Sequence, residues 1–530
     1  MILDDLDRHA RERPDERAVI EISAGGAVRE LSWGALRMQS DAVASALRRL
    51  GVQVGEPVAF QLPNRLEFVT IALGTLRAGA VCEPLMPIFR ERELSFMLRE
   101  SGARVLFVPD QFRGRDYAAM AATLRETLPA LDHVVVLGDR DGDRDGTPLE
   151  TGTYQYGTGT YPSPEGGAAT VPNLADDQIA QLLFTSGTSG EPKGALHRHD
   201  TLMRAADHQI DHFGLGGDDV IYIPSPLAHQ TGFLYGMWIA IRLGVPQVLQ
   251  EVWDAEVGLD AMRRFGVTFT QAATPFLADL ARVASDAGHR PESLRTFVAT
   301  GAAIPRELAR RSREVLGAEV GGAWGTTESC LGCAFVPGDP PERAWGTDGR
   351  ALSGTRLRVV DDEGRPLSPG EEGNFEVGSD CLFVGYLNRP ELTSEAVTVD
   401  GWYRTGDLAR IDADGYVRIT GRVKDVINRG GEKVPVAEIE QLLHAHPAVL
   451  DIAIVAMPDE RLGERACAFV VLNDGGDLDF DSMLEYLDSH RVSKTYWPER
   501  LELVDTLPRT PSGKIQKFIL RAQARELVTT

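Results

Sequence analysis

"LLFTSGTSGEPKGALHRH" runs from Leu182 to His199, and its reading decides the fold. An apolar run, Leu182–Phe184, reads as a buried strand and leads straight into glycine, serine and threonine. Gly187, Gly190 and Gly194 carry no Cβ, so the backbone can approach a ligand closely and visit positive φ. Successive backbone N–H groups in such a turn form an anion-binding nest. Thr185, Ser186, Thr188 and Ser189 add hydroxyls, and Lys193 adds a mobile positive charge. A solvated Gly/Ser linker is the competing reading. A linker has no need of the preceding strand, nor of one lysine placed directly after Pro192, so phosphate binding is favoured. The stretch is not a P-loop, because Lys193 follows Pro192 and precedes Gly194, where that motif needs Gly-Lys-Ser/Thr.

Outward from this loop the chain alternates helix and strand signals. "SDAVASALRRLG" has helical periodicity, with Ser40 as cap and Gly51 as stop. "EPVAFQL" reads as a strand, "EFVTIALGTLRAG" as a helix and "AVCEPL" as a strand. "RERELSFMLRESG" then reads as a helix and "ARVLFVP" as a strand. This alternation predicts βαβ units and a largely parallel sheet. Residues 139–172 are rich in Gly, Asp, Thr and Pro and read as one long surface loop. Short strands with turn signals around 355–420 predict an antiparallel β region. A compact α+β tail follows "GRVKDVINRGGEKV", which places a domain boundary near Lys424.

The bulk numbers narrow the function classes. Among 530 residues, 43% are hydrophobic and 25% charged, ordinary globular usage with room for several domains. Acidic residues exceed basic ones by 78 − 55 = 23, a field that repels nucleic acids and anionic lipid but leaves room for a local nucleotide nest. The start "MILDDLDRHARERPDE" lacks a basic n-region and apolar h-region. Arg77 and Arg242 interrupt the longest apolar stretches before about 18 residues accumulate. A soluble cytoplasmic protein is expected. Five cysteines argue against a disulfide framework, and Cys330 and Cys333, a lone CxxC, read as free thiols in a wall rather than half of a zinc site.

Three further stretches carry chemistry. In "GAWGTTES", Gly322–Ser329, an indole face at Trp324 can stack on a purine and the Glu328 carboxylate can hold Mg²⁺ beside phosphates. A buried Trp and a solvated Glu are the alternative. "WYRTGDLARIDADGY" sets Asp407 in a tight Gly turn, where it can accept two ribose hydroxyls or simply cap the turn. "LPRTPSGKIQK" places Lys514 on a loop, where most lysines are solvated.

With "GRVKDVINRGGEKVPVAEIE", these segments stand in the order found in the acyl-adenylate-forming enzymes. The whole chain resembles that superfamily of acyl-CoA synthetases, AMP-dependent ligases and adenylation domains. The N-terminal stretch around "PLMPIFRERELSFMLRESG" looks most like stand-alone CoA ligases for medium-chain or carbocyclic acids. The resemblance implies an α/β fold: a large N-terminal domain (residues 1–423) of layered α/β sheets plus a β-barrel, and a small mobile α+β C-terminal domain (424–530). It implies that Thr185, Ser186, Thr188 and Lys193, with Gly187, grip the β- and γ-phosphates of ATP. Gly301, Ala302 and Ala303 would flank the adenine, with Trp324 where the family usually has tyrosine. Gly325 and Thr326 join the nucleotide site, Thr327 touches the α-phosphate and Glu328 holds Mg²⁺. Asp407, assisted by Arg422, would bind the ribose, Lys424 would be the hinge, and Lys514 would bridge the acyl carboxylate and the α-phosphate. In the second half-reaction the loop at Gly430 and Gly431 would replace Lys514. One departure stands at Gly378–Ser379, where the family usually has Arg-Gly.

For the acyl group, the expected pocket lies between "SPLAHQTGF" and the wall after "WGTTE". His229 holds the family's aromatic gate position. Tyr235 and Trp238, three apart, would face one way on a helix. Phe276 forms a side, and Cys330, Gly332 and Cys333 form a wall of small residues. These segments hold no Lys, Arg or Asp to pair an ammonium or second carboxylate, so the expected substrate is a mainly apolar monocarboxylic acid, cyclic or bulky ones admitted. The expected cofactors are ATP, Mg²⁺ and coenzyme A. No carrier-protein segment is recognisable, so CoA is the expected acceptor, with loading of a separate carrier protein second. A luciferase-type oxygenase would use the same motifs. A nucleotide-binding regulator would not need Glu328 and Lys514.

Overall fold

Burial on every side of one helix sets the architecture. Leu66–Ala78 has all its residues buried, including Thr70, Thr75 and Arg77, as expected of a helix apolar nearly all round. Its core cluster draws on two sheets at once: Val19, Ile221, Leu249 and Phe269 from one, Val58, Phe60, Cys82 and Val105 from the other. The computed structural model describes residues 1–138, 145–150, 153–156, 175–185, 192–301, 304–429, 432–510 and 514–527.

Among the described residues both large sheets have nine strands. The first has a parallel centre, with Gln247–Gln250, Ile221–Ile223, Phe269–Ala273, Thr296–Thr300 and Glu319–Thr326 side by side. It continues through antiparallel Cys330–Ala334 to Arg350–Ala351. The second is parallel from Val81–Pro84 through Pro57–Phe60 and Val105–Pro109 to His133–Leu137. On its other side Val81–Pro84 meets Ile179–Thr185, which pairs antiparallel with Lys193–Arg198. The antiparallel region expected after residue 355 is a four-stranded sheet ending at Val417–Arg422. A five-stranded sheet follows, around the long hairpin Val449–Asp459 and Gly463–Leu472, with Val436–His444 and Lys517–Glu526 packed against it. This mixed α/β architecture, with a smaller α+β unit at the C-terminal end, agrees with the fold class read from the sequence.

Two local readings are corrected. The helix assigned to "SDAVASALRRLG" begins at Trp33, where Ser32 Oγ accepts the Ala35 N–H at 3.3 Å. Ser40 is an interior residue whose hydroxyl donates to Leu36 O at 2.7 Å, a back-bond open to serine mid-helix. The stretch 139–172 is not one uninterrupted loop, since Asp145–Glu150 and Thr153–Tyr156 form a hairpin that extends the second sheet beyond His133–Leu137.

Candidate active site

The opening motif forms the mouth of a hairpin. Thr185 and Lys193 are its last paired residues, and Thr185 Oγ1 donates to Lys193 O at 3.4 Å. Gly194 is required by close packing, because a Cβ there would lie 2.6 Å from Leu182 Cδ1. The Lys193 ammonium sits 5.0 Å from the ring centroid of Tyr386, within cation–π range. Ser186, Gly187 and Thr188 lie outside the described residues, as do Ala302, Ala303, Gly430 and Gly431.

Tyr386 also fixes Glu328. Its hydroxyl donates to Glu328 Oε1 at 2.8 Å, and the Phe383 N–H donates to Glu328 O at 2.8 Å. The carboxylate is 8% exposed. Its other oxygen has no hydrogen bond among the described residues, which leaves it open to a cation. His197, fully buried at the end of the phosphate strand, lies 2.7 Å by Nε2 from Thr327 O. Burial lowers its pKa, so the ring is neutral and that nitrogen donates. These contacts tie the phosphate hairpin to the Thr327–Glu328 loop.

Asp407 is 2% exposed and both its oxygens are held. Arg422 Nε reaches Oδ1 at 2.9 Å, and Trp324 Nε1 donates to Oδ2 at 2.9 Å. The Trp324 ring also meets Phe375 nearly edge-on, with centroids 4.8 Å apart. The indole proposed as a purine platform is therefore at present a partner of the carboxylate proposed for the ribose.

A cavity of about 60 Å³ opens next to Thr327, the neighbour of Glu328. Thr300, Gly301, Gly325, Thr326 and Thr327 line one end, and Tyr235, Ala273, Phe276 and Leu331 line the other. His229 and Lys514 stand on its wall. A Cβ on Gly301, which has φ +89°, would lie 3.5 Å from Lys514 Cε, so the lysine stem lies over this glycine. Burial and then the Arg422 charge push the Lys514 pKa down, while Asp407 and Glu328 pull it back up. His229 Nδ1 accepts the Thr231 N–H at 3.2 Å. Burial first, then Lys514, lowers this histidine to about 4, so it is neutral with its proton on Nε2. Lys424 lies in the turn Val423–Asp425, and its carbonyl accepts from Arg521 Nη1 at 3.2 Å.

Four expected pocket residues do not line this cavity. Trp238 is fully buried against His199 and Phe233. Phe233–Trp238 is a π-helix, whose wider i→i+5 turn breaks the i,i+3 alignment assumed for Tyr235 and Trp238. A register shift between Trp324 and Gly325 sets Leu331 opposite Gly325 and Cys333 opposite Trp324. Leu331 thus forms the wall. A Cβ on Gly332 would meet the Trp324 ring at 2.8 Å, and Cys333 is buried in the cluster that includes Trp324. Cys330 is buried, with its thiol 3.6 Å from Cys381 O. Sequence reasoning missed Tyr386, His197 and Gln230. His197 stands in the opening stretch, and Gln230, a buried amide on the cavity wall beside the Cys330 thiol, follows His229 directly.

The chain matches the family described as AMP-binding enzyme over residues 6–387 and the AMP-binding enzyme C-terminal domain over 438–514. It is 35% identical to a medium-chain fatty-acid–CoA ligase of Escherichia coli strain K12, covering 98% of this chain and 90% of that one. It is also 35% identical to a salicyl-AMP ligase / salicyl-S-ArCP synthetase of Mycobacterium tuberculosis, over 98% and 89%. The structure of an anthranilate CoA ligase in complex with anthranoyl-AMP superposes with a TM-score of 0.87 at 27% identity, covering 100% of this chain and 98% of that one.

Proposed function

The chain belongs to the AMP-binding enzyme family, and from that premise we propose that it activates a monocarboxylic acid with ATP as an acyl adenylate and transfers the acyl group to coenzyme A. It is an acid–thiol ligase. The observation that carries this reading is the shared cavity: Lys514, from the C-terminal part, meets Thr326, Thr327 and the apolar acyl end in one space.

A carboxylate is a poor acyl donor, because its leaving group would be oxide. Attack of one carboxylate oxygen on the α-phosphorus expels pyrophosphate and leaves an acyl–AMP, whose leaving group is good. The two reactants are both anions, so positive charge must be preorganised where they meet. Lys514 supplies it at the junction of the two ends of the cavity, and Lys193 supplies it at the phosphate hairpin. Thr327 Oγ1 would donate to the α-phosphate, and Asp407 with Arg422 would hold the ribose. Glu328, oriented by Tyr386, would hold Mg²⁺, which neutralises phosphate charge when bound. Neutral His229 closes the acyl end without adding a second charge beside Lys514.

The acyl end suits a compact, mainly apolar acid. The whole cavity, about 60 Å³, corresponds to roughly four to six waters at 10–15 Å³ each. Among the described lining residues Lys514 is the one Lys, Arg, Asp or Glu, so an α-ammonium group would find no carboxylate and be buried unpaired at a cost of several kcal/mol. The relatives' acids, a medium-chain fatty acid and salicylate, are of this kind, and cyclic acids are admitted. Loading of a carrier protein is the second reading, favoured by the salicyl relative's name. The test is acid-dependent ATP–pyrophosphate exchange over a panel of acids, with CoA consumption followed in parallel. Exchange and thioester formation with a compact apolar acid are expected. Exchange with no thioester on CoA would move the acceptor to a carrier, and exchange driven only by amino acids would overturn the substrate reading.

A further inference from the structure

Where the helix His199–Phe213 meets Asp380 and Cys381, three side chains converge that the ligase reaction does not use. Cys381 Sγ lies 3.3 Å from Asp380 Oδ1 and 3.6 Å from His208 Nδ1, and His208 Nδ1 lies 3.8 Å from Asp380 Oδ1. From these distances we propose a zinc site with Cys381, His208 and Asp380 as protein ligands and water in the fourth position.

The triangle has the dimensions of a tetrahedral face. With Zn–S near 2.3 Å and Zn–N and Zn–O near 2.0–2.1 Å, the tetrahedral angle requires edges of about 3.6 Å from sulfur to either partner and about 3.4 Å from nitrogen to oxygen. The three observed separations lie within about 0.4 Å of those values, so the donor atoms are already spaced to close on an ion. Thiolate, imidazole and carboxylate together are also the donor chemistry zinc takes. Among the described residues this is the one group of three or more such side chains that converges.

Two further features belong to a built site. Gly354, at φ +69°, faces the triangle. A Cβ there would lie 2.4 Å from His208 Cε1 and 2.7 and 2.9 Å from the two Asp380 oxygens. Glycine is thus what leaves room for the group to gather and for a water to reach the ion. Arg204 stands four residues before His208 on the helix His199–Phe213, on the same face. Its Nε donates to Asp380 O at 3.1 Å and lies 3.8 Å from Oδ2, which leaves Oδ1 turned to the thiol and imidazole. Asp200 takes the other end of this guanidinium at 3.0 Å, so its charge is balanced away from the triangle. Such outer partners orient ligands in protein metal sites.

An ion here would staple together two elements that carry residues of the candidate active site. His208 lies on the helix that follows the phosphate strand. Asp380 and Cys381 open the segment whose Val384 N–H bonds Leu196 O at 2.8 Å and whose Tyr386 holds Glu328. Asp380 is the exposed corner, with 44% of its side chain open, and gives the ion its way in.

The experiment is titration of the purified, metal-stripped full chain with cobalt(II), followed by zinc(II) competition and thermal melting. One equivalent of cobalt should develop a thiolate-to-cobalt charge-transfer band with tetrahedral d–d bands. Zinc should bleach both and raise Tm. Cys381→Ser should abolish the charge-transfer band, and His208→Ala should weaken zinc binding about tenfold or more. Cys330→Ser, removing the neighbouring thiol, should leave the band intact. If Cys381→Ser misfolds, His208→Ala and Asp380→Asn carry the test by the same titration. No cobalt–thiolate band at stoichiometric metal, a band that survives Cys381→Ser, or zinc affinity unchanged in both His208→Ala and Asp380→Asn would overturn the proposal.

Discussion

Lys514 and His229 share one wall and oppose each other electrostatically. The lysine must be charged to bring two anions together, and its neighbour stays neutral because burial and the lysine itself lower it to about 4. Removing the ammonium in Lys514→Ala should cost about 2–4 kcal/mol of transition-state stabilisation, the scale of a lost oxyanion donor. ATP–pyrophosphate exchange should fall by that factor with the fold intact, and near-normal exchange would sink the lysine's role. The histidine makes a separate prediction. Its folded pKa lies below the 6.5 of an exposed ring, so between pH 6.5 and about 4 the unfolded chain binds a proton that the folded chain refuses. Its share of stability is whole above pH 6.5 and is lost as pH falls through that window. His199, also held at about 4 by burial, acts in the same direction. Denaturant melts across pH 4–7 should show the loss, and His229→Gln should flatten part of it. An identical slope in the variant would refute the assignment.

At the scale of elements, the groups proposed for the nucleotide end could be named from motifs because each lies in a short stretch with its own chemistry. Thr326, Thr327, Gly301 and Lys514 share the cavity, while Glu328 and Asp407 are fixed beside it. The strands and helices around them were legible too, since apolar periodicity and glycine stops mark them. The acyl wall was not, for two geometric reasons. A π-helix looks like an α-helix in sequence, and it turned Trp238 away from Tyr235. A one-residue register shift beside Gly325 is likewise invisible in composition, and it exchanged Gly332 for Leu331 on the wall. Tyr386 was missed because it reaches Glu328 from 58 positions away in the chain, which only tertiary structure reveals. The corrected wall reverses an expectation: Gly332→Ala should press on Trp324 and raise KM for ATP more than for the acid. Leu331→Ala should open the acyl end and improve kcat/KM for bulkier acids. Steady-state kinetics on both variants checks this. If Gly332→Ala instead discriminated among acids, the wall would have to be redrawn.

For the whole molecule, the decisive fact is that Lys514 comes from the C-terminal part yet lies over Gly301 in the first. The proposed second half-reaction would require Lys514 to leave this position so that a thiol can approach the carbonyl. The proposed hinge at Lys424 would resolve this by rotation of residues 424–530. Its turn is braced by Arg521, which meets both the Lys424 carbonyl and the Asp425 carboxylate. Proline fixes φ near −65° and restricts the residue before it. Lys424→Pro should therefore retain pyrophosphate exchange and lose thioester formation by tenfold or more, once melting shows an unchanged Tm. Equal loss of both half-reactions would place the pivot elsewhere.

The bond between Trp324 and Asp407 has an optical consequence. If the ribose hydroxyls take the carboxylate oxygen that the indole now occupies, nucleotide arrival must release an indole N–H from an anionic neighbour. Indole emission responds to the charge beside its nitrogen, so this contact makes the protein its own fluorescent gauge of occupancy. ATP should shift the emission of the wild-type chain, and a 2′,3′-dideoxy nucleotide, with no hydroxyls to compete, should leave it nearly still. Trp324→Phe should silence that change against the background of the six other tryptophans (seven in all), and should bind ATP more tightly because Asp407 Oδ2 starts without the indole donor while Arg422 keeps Oδ1. A signal that persists in Trp324→Phe would mean that another indole reads the nucleotide.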